Sequence, residues 1–184
     1  MSKIIGIDIG LSGGISDGIN HYDMPTTRIE SKPAITVFAK DASGKKIQYK
    51  TGPQKGEFKR IIKTPAKYTL ELDVRALFDL LVDADEIVIE SQGTSRGNSA
   101  KATRSTSLNF GKVLAIAHLV CDNVNLVSPQ KWKKDLKLSQ EKIDSIKMAE
   151  QLAKTSFRTS RGALKDGPAE AFLIRHHYVQ NKEE

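Results

Sequence analysis

The sequence predicts an α/β layer fold built on a mixed sheet, and three observations carry that prediction. Strand-like segments come first, and helix-like and strand-like segments alternate after them. Two short runs, residues 3–9 (KIIGIDI) and 86–91 (EIVIES), are apolar enough to be strands at a sheet centre. The chain has 184 residues, 39% of them apolar and 28% charged, which suits one domain with a buried core, or one domain with an insertion.

The elements follow in order. Residues 3–9 read as a buried strand, with Ile at 4, 5, 7 and 9. Residues 10–14 are a glycine-rich turn. Residues 15–24 can return as a second strand, weakened by Asp17, Gly18 and Asn20 and closed by Pro25. Residues 26–56 are polar and broken by Pro33, Gly44, Pro53 and Gly56, so they read as a mobile or hairpin-like insertion. Residues 58–72 resemble a strand split at Pro65. Residues 73–83 carry apolar positions on a helical period, with Asp73 as N-cap. Residues 86–91 form a central strand, and 92–103 an exposed basic loop. Residues 105–121 form a helix with Leu108, Val113, Leu114, Ile116, Ala117 and Val120 inward. Residues 124–128 are a strand, and 139–154 an amphipathic helix capped by Ser139. Residues 167–180 are a last helix that tolerates Pro168 in its first turn.

Charge narrows the partners. Lys and Arg number 29 against 22 Asp and Glu, a net +7, which favours polyanions and nucleic acid first. The single cysteine, Cys121, excludes a disulfide framework and a cysteine-based zinc site and reads as a small core residue. No stretch approaches 18 apolar residues, and the N-terminal residues lack a signal-peptide layout, so an intracellular protein with no membrane partner is expected.

Four acids occupy positions that a core rejects unless they are used. Asp8 interrupts the first strand. Glu90 ends the second apolar strand just before the basic loop. Asp166 and Glu170 open the last helix at i and i+4, on one face. The other acids lack this setting: Asp83, Asp85 and Glu86 crowd a turn and read as solvated. Four carboxylates in one cleft repel one another, and each is costly unpaired. A divalent cation relieves both problems, and hard oxygen ligands suit Mg²⁺ or Mn²⁺. Two such ions can flank a phosphodiester. Each acid also has a plainer reading: Asp8 as a turn acid, Glu90 paired to a buried Arg, Asp166 as an N-cap, Glu170 facing solvent.

In this order the residues resemble the RuvC-type Holliday junction resolvases of the RNase H-like nuclease superfamily, the short phage-type members most of all. The stretches that carry the resemblance are IGIDIGLSGGI, IVIESQ, P-x-x-W-K-K (Pro129, Trp132, Lys133, Lys134) and DGPAEAFLI, spread over nearly the whole chain. The resemblance implies a single RNase H-like nuclease domain over 1–184, a mixed β-sheet flanked by α-helices, with the polar insertion around 26–56. It implies metal-dependent, paired nicking of four-way DNA junctions by a homodimer. Asp8, Glu90 and Glu170 take the matching acid roles, with Asp166 as the fourth, holding two Mg²⁺ or Mn²⁺ per site. Arg96, Lys101 and Arg104 of the basic loop region read as phosphate contacts. Lys133, Lys134 and Lys142 match basic positions near the family's site. A phage-encoded member would work in the cytoplasm of its bacterial host.

Three features depart from the family pattern. Asp166 and Glu170 are spaced by four where the bacterial enzymes have three. Ile9 stands where Pro is usual. The loop SQGTSRGNSAKATR lacks an aromatic that could wedge into a junction. Trp132 reads as a core or interface anchor. The helix at 105–121 is apolar on more than one side, which fits deep burial or a dimer seam. Rival readings are a related nuclease acting on forks, flaps or RNA–DNA hybrids, a catalytically dead junction binder, and an actin-like or sugar-kinase ATPase fragment whose glycines hold phosphate.

Overall fold

Pleating decides which way each residue of the two central strands faces. Ile5, Ile7 and Ile9 of and after β1 (Ile4–Asp8) join Ile87 and Ile89 of β8 (Glu86–Glu90) in one apolar core. Ile4 and Val88 belong to a second core on the opposite side. With a side-chain period of two, Asp8 shares a face with Ile4, and Glu90 shares a face with Val88. The strands run parallel in the register Ile7 to Ile89, so the two carboxylates stand side by side where both strands end.

The computed structural model describes residues 2–92, 99–139 and 141–182. It has two compact units, Met1–Thr26 with Leu72–Glu184, and Thr27–Glu71. In the first unit, β1 pairs antiparallel with β2 (Gly14–Ser16), and β2 with β3 (His21–Asp23). On its other edge β1 pairs parallel with β8, and β8 with β9 (Val124–Val127). The sheet is therefore mixed, in the order β3-β2-β1-β8-β9.

Helices cover both faces. Leu77 and Leu81 of α1 (Val74–Leu81) and Val113 and Ala117 of α2 (Ala100–Val120) bury against Ile5, Ile7, Ile87 and Ile89. On the other face lie α3 (Pro129–Asp135), α4 (Lys142–Ala153) and α5 (Asp166–Lys182), which bury Trp132, Ile146, Ala149, Leu173 and Ile174 against Ile4, Val88 and Val127. Each large apolar side chain among these contributes roughly 1.5–3 kcal/mol by leaving water.

Several local expectations need correction. Asp73 does cap α1, its Oδ1 accepting from the amides of Arg75 and Ala76 at 3.2 and 3.0 Å. Ser139 does not cap the next long helix: Glu141 is the N-cap of α4, and the Ser139 hydroxyl bonds Asp144 and the Glu141 amide. Residues 15–24 form two strands, because Asp17 Oδ1 gathers the amides of Ile19 and Asn20 into a turn and Gly18 takes φ +93°. Leu108 is exposed on α2, not inward, and α2 begins at Ala100. Glu86 is buried and bonded to Tyr178 and Lys182, not solvated. Cys121 is buried as expected.

The second unit is a β-arm. β4 (Thr26–Lys32) pairs with β7 (Lys67–Leu72), and β5 (Ile35–Phe38) pairs antiparallel with β6 (Arg60–Thr64). The bridges Lys40–Lys46 and Gln48–Phe58 extend the arm. Residues 58–72 do split around Pro65, yet most of them belong to this unit. Among the described residues, no helix is long and apolar enough to cross a membrane.

Candidate functional site

The site starts from a close backbone approach. After β1 the chain turns tightly, with the Gly13 amide donating to Gly10 O at 3.1 Å, and Gly13 bridges to Gly167 at the start of α5. A Cβ on Gly14 would stand 2.3 Å from Pro168 N, and one on Gly167 would stand 2.3 Å from the Gly13 carbonyl carbon. Only glycine permits this approach. It sets the N-terminus of α5, with Asp166 in the first turn and Glu170 in the second, beside the strand that carries Asp8.

The four predicted acids share one electrostatic environment. Burial pushes the Asp8 carboxyl well above the usual carboxylate range, and the charges of Glu90, Glu170 and Asp166 push it further. Burial also raises Glu90, against the hydrogen bond from Trp132, with Glu170 adding to the rise. Burial alone would raise Asp166 as well. The Lys142 ammonium and the backbone amides of Asp166 and Gly167 bring it below its ordinary value instead.

The surrounding residues hold these acids in place. Trp132, fully buried, donates its Nε1–H to Glu90 Oε1 at 2.9 Å, and the β9 strand leads into α3 through the Ser128 N-cap to put it there. Lys133 Nζ donates to Glu170 Oε1 at 2.9 Å, with the two side chains only 20% and 13% exposed. The Ser145 hydroxyl of α4 donates to the same oxygen at 3.2 Å. One turn earlier on α4, Lys142 pairs with Asp166, and the pairing raises the lysine's pKa. Gln92 Nε2 donates to Ile9 O at 3.2 Å and ties the ends of β8 and β1 together.

Among the described residues, four carboxyls face two ammonium groups, and burial disfavours the charged form of Asp8 and Glu90. That donor set, oxygen only and short of positive charge, is the one a hard divalent cation takes. As they stand, no three His, Cys, Asp or Glu side chains among the described residues are arranged to hold a metal ion. Lys133 and Lys142 occupy Glu170 and Asp166, so a cation would have to take over the charge that these lysines supply.

The remaining predicted contacts divide. Lys133 and Lys142 reach the acids, whereas Lys134, the next residue on α3, is exposed. Arg104 is exposed on α2. Arg96 and the side chain of Lys101 lie outside the described residues. Trp132 is a core side chain, but its polar edge serves the site. Glu90 accepts from this indole, and among the described residues no Arg bonds it. Sequence reasoning misses Ser145. Its spacing of three from Lys142 on one helix face is the signal that could have found it.

No family model matches the chain, and no curated protein matches it. Solved structures do. A Thermus thermophilus RuvC in complex with a Holliday junction substrate superposes with a TM-score of 0.51 at 12% identity, covering 98% of this chain and 94% of that one. A second T. thermophilus RuvC structure gives 0.50 at 14% identity, covering 97% and 96%. At such identities the likeness is one of fold, and the chain has the RNase H-like α/β fold of these RuvC structures, a mixed sheet flanked by helices.

Proposed function

We propose that the chain is a metal-dependent, structure-selective endonuclease that resolves four-way DNA junctions by paired nicking. The observation that carries the proposal is the meeting of Asp8, Glu90, Asp166 and Glu170 at the ends of two parallel strands and the start of α5, each acid felt by Asp8. Support comes from the likeness in fold to a RuvC, which is itself described in complex with a Holliday junction substrate.

In this reading Asp8, Glu90, Asp166 and Glu170 hold Mg²⁺ or Mn²⁺, two per site. Such ions supply an activated water and stabilise the leaving oxygen of a phosphodiester. The chain's own residues do the rest. Trp132 and Ser145 orient Glu90 and Glu170. Lys133 and Lys142, once a cation replaces them at the acids, are free to neutralise phosphate oxygens. Arg96, Lys101, Arg104 and Lys134 add sequence-independent phosphate contacts. Paired nicking needs two sites, hence a homodimer, working inside the cell and, for a phage-encoded chain, in the cytoplasm of a bacterial host.

The test is a cleavage panel with Mg²⁺ or Mn²⁺: four-way junction, fork, flap, RNA–DNA hybrid and linear duplex. The junction should be nicked in symmetric strands, and Asp8→Asn should abolish nicking yet keep junction binding. Cleavage by Asp8→Asn at the wild-type rate would falsify the metal-site reading. Preference for the fork, flap or hybrid would move the chain to a related nuclease activity.

A further inference from the structure

The charge of this protein is concentrated in one place. Thr27–Glu71 holds eleven Lys and Arg against four Asp and Glu, a net +7 that equals the charge of the whole chain. The rest of the chain holds eighteen of each and is neutral. The arm also has no core of its own. Within it only Ala39 is buried, while Phe58 and Tyr68 are 45% and 46% exposed. Isolated two-stranded ladders are marginally stable in water.

Its aromatic rings and its cations are interleaved. Lys46 Nζ lies 4.3 Å from the Phe38 ring centre and 5.3 Å from that of Phe58, and Arg28 lies 4.0 Å from Tyr68. Two adjoining pockets share Tyr49 as a wall. One, of about 480 Å³, is lined by Phe38, Tyr49, Phe58 and Arg60, with Gln54 and Glu57. The other, of about 700 Å³, is lined by Lys45, Lys46, Lys50 and Lys55, with Asp41 as its acid. An aromatic pocket beside a lysine pocket matches a chain with a flat unpaired base on one side and a phosphate on the other. A duplex hides its base faces and would leave the rings unused.

We propose that Thr27–Glu71 is a binding arm for single-stranded nucleic acid, with Lys45, Lys46, Lys50 and Lys55 on the phosphates and Phe58, Phe38 and Tyr49 stacking on bases. That the strand is DNA, unpaired near a branch, rests on the nuclease reading above; the single-strand preference does not.

The test uses the full chain and a fluorescent thymine oligonucleotide, followed by anisotropy over a salt series without divalent metal. The Lys45, Lys46, Lys50 and Lys55→Gln variant should bind more weakly, with a salt slope shallower by about 0.7 for each phosphate no longer neutralised. Phe58→Ala should lose about tenfold in affinity with the slope unchanged, and Phe58→Trp should restore it. Failure of the wild-type chain to bind the oligonucleotide overturns the proposal. So does wild-type affinity in both the glutamine variant and Phe58→Ala. The two readings fail separately. A chain that binds the oligonucleotide through the arm but cleaves no branched DNA loses the nuclease reading alone. One that resolves junctions while its arm variants bind normally loses the arm alone.

Discussion

Replacing Lys133 with Met removes one ammonium from the four-carboxyl cluster and keeps most of the apolar stem. Lys133 and Glu170 are only 20% and 13% exposed, so the pair is close to a buried one. Removing one member of a buried pair costs about 3–5 kcal/mol. The remaining water access discounts this to about 2–3 kcal/mol, since Ser145 still donates to Glu170. For a chain of this size each kcal/mol lowers the melting point by about 2–4 °C, so Lys133→Met in EDTA should melt about 5–10 °C below wild type. Saturating Mg²⁺ or Mn²⁺ should erase most of that gap, because the cation supplies the charge that Lys133 gave. Calorimetry should also show tighter Mn²⁺ binding by the variant, which no longer has an ammonium to displace. The assay is differential scanning calorimetry of both proteins with EDTA and with metal. An equal loss under both conditions would refute the exchange, since Lys133 would then be only a structural partner of Glu170.

Two further outcomes follow from the same geometry. Burial and the neighbouring acids raise Asp8 above its unfolded value, so its contribution to stability is full below about pH 4 and is lost as pH rises through the folded value. In EDTA, Asp8→Asn should therefore gain on wild type as the pH climbs from about 4, measured by denaturant unfolding; a difference independent of pH would refute this account. Trp132→Phe deletes a hydrogen bond to a carboxylate and leaves space in a fully buried site, and should cost about 3 kcal/mol in a urea titration. A loss below about 1 kcal/mol would mean that the indole does not hold Glu90.

How much of this is legible in the sequence depends on the range of the interaction involved. Asp8 and Glu90 stand out because a charge inside an apolar strand is a local anomaly, and period-two pleating then dictates that each points away from the neighbouring isoleucines. Asp166 and Glu170 stand out because i and i+4 share a helix face. Their partners are harder to read. Lys133 and Lys134 are adjacent and chemically alike, yet about 100° of helical turn sends one to Glu170 and leaves the other exposed. Glu86 looks like one more turn acid because its partners, Tyr178 and Lys182, come from the far end of the chain.

The extent of the arm is hard to read from sequence for a related reason. Residues 58–72 resemble a strand split at Pro65, which places the end of the insertion near 56. Strand pairing is non-local, and β6 and β7 find their partners in β5 and β4 within the arm instead of in the central sheet. The glycines of the opening stretch show the same limit from the other side. Their composition fits a phosphate cradle and a turn equally well. What separates the two is the backbone of Gly167 and Pro168, distant in sequence, lying where a Cβ on Gly14 would have to go. The close approach that these glycines permit lays α5 beside β1 and β2, and Glu170 lies within electrostatic reach of Asp8 and Glu90.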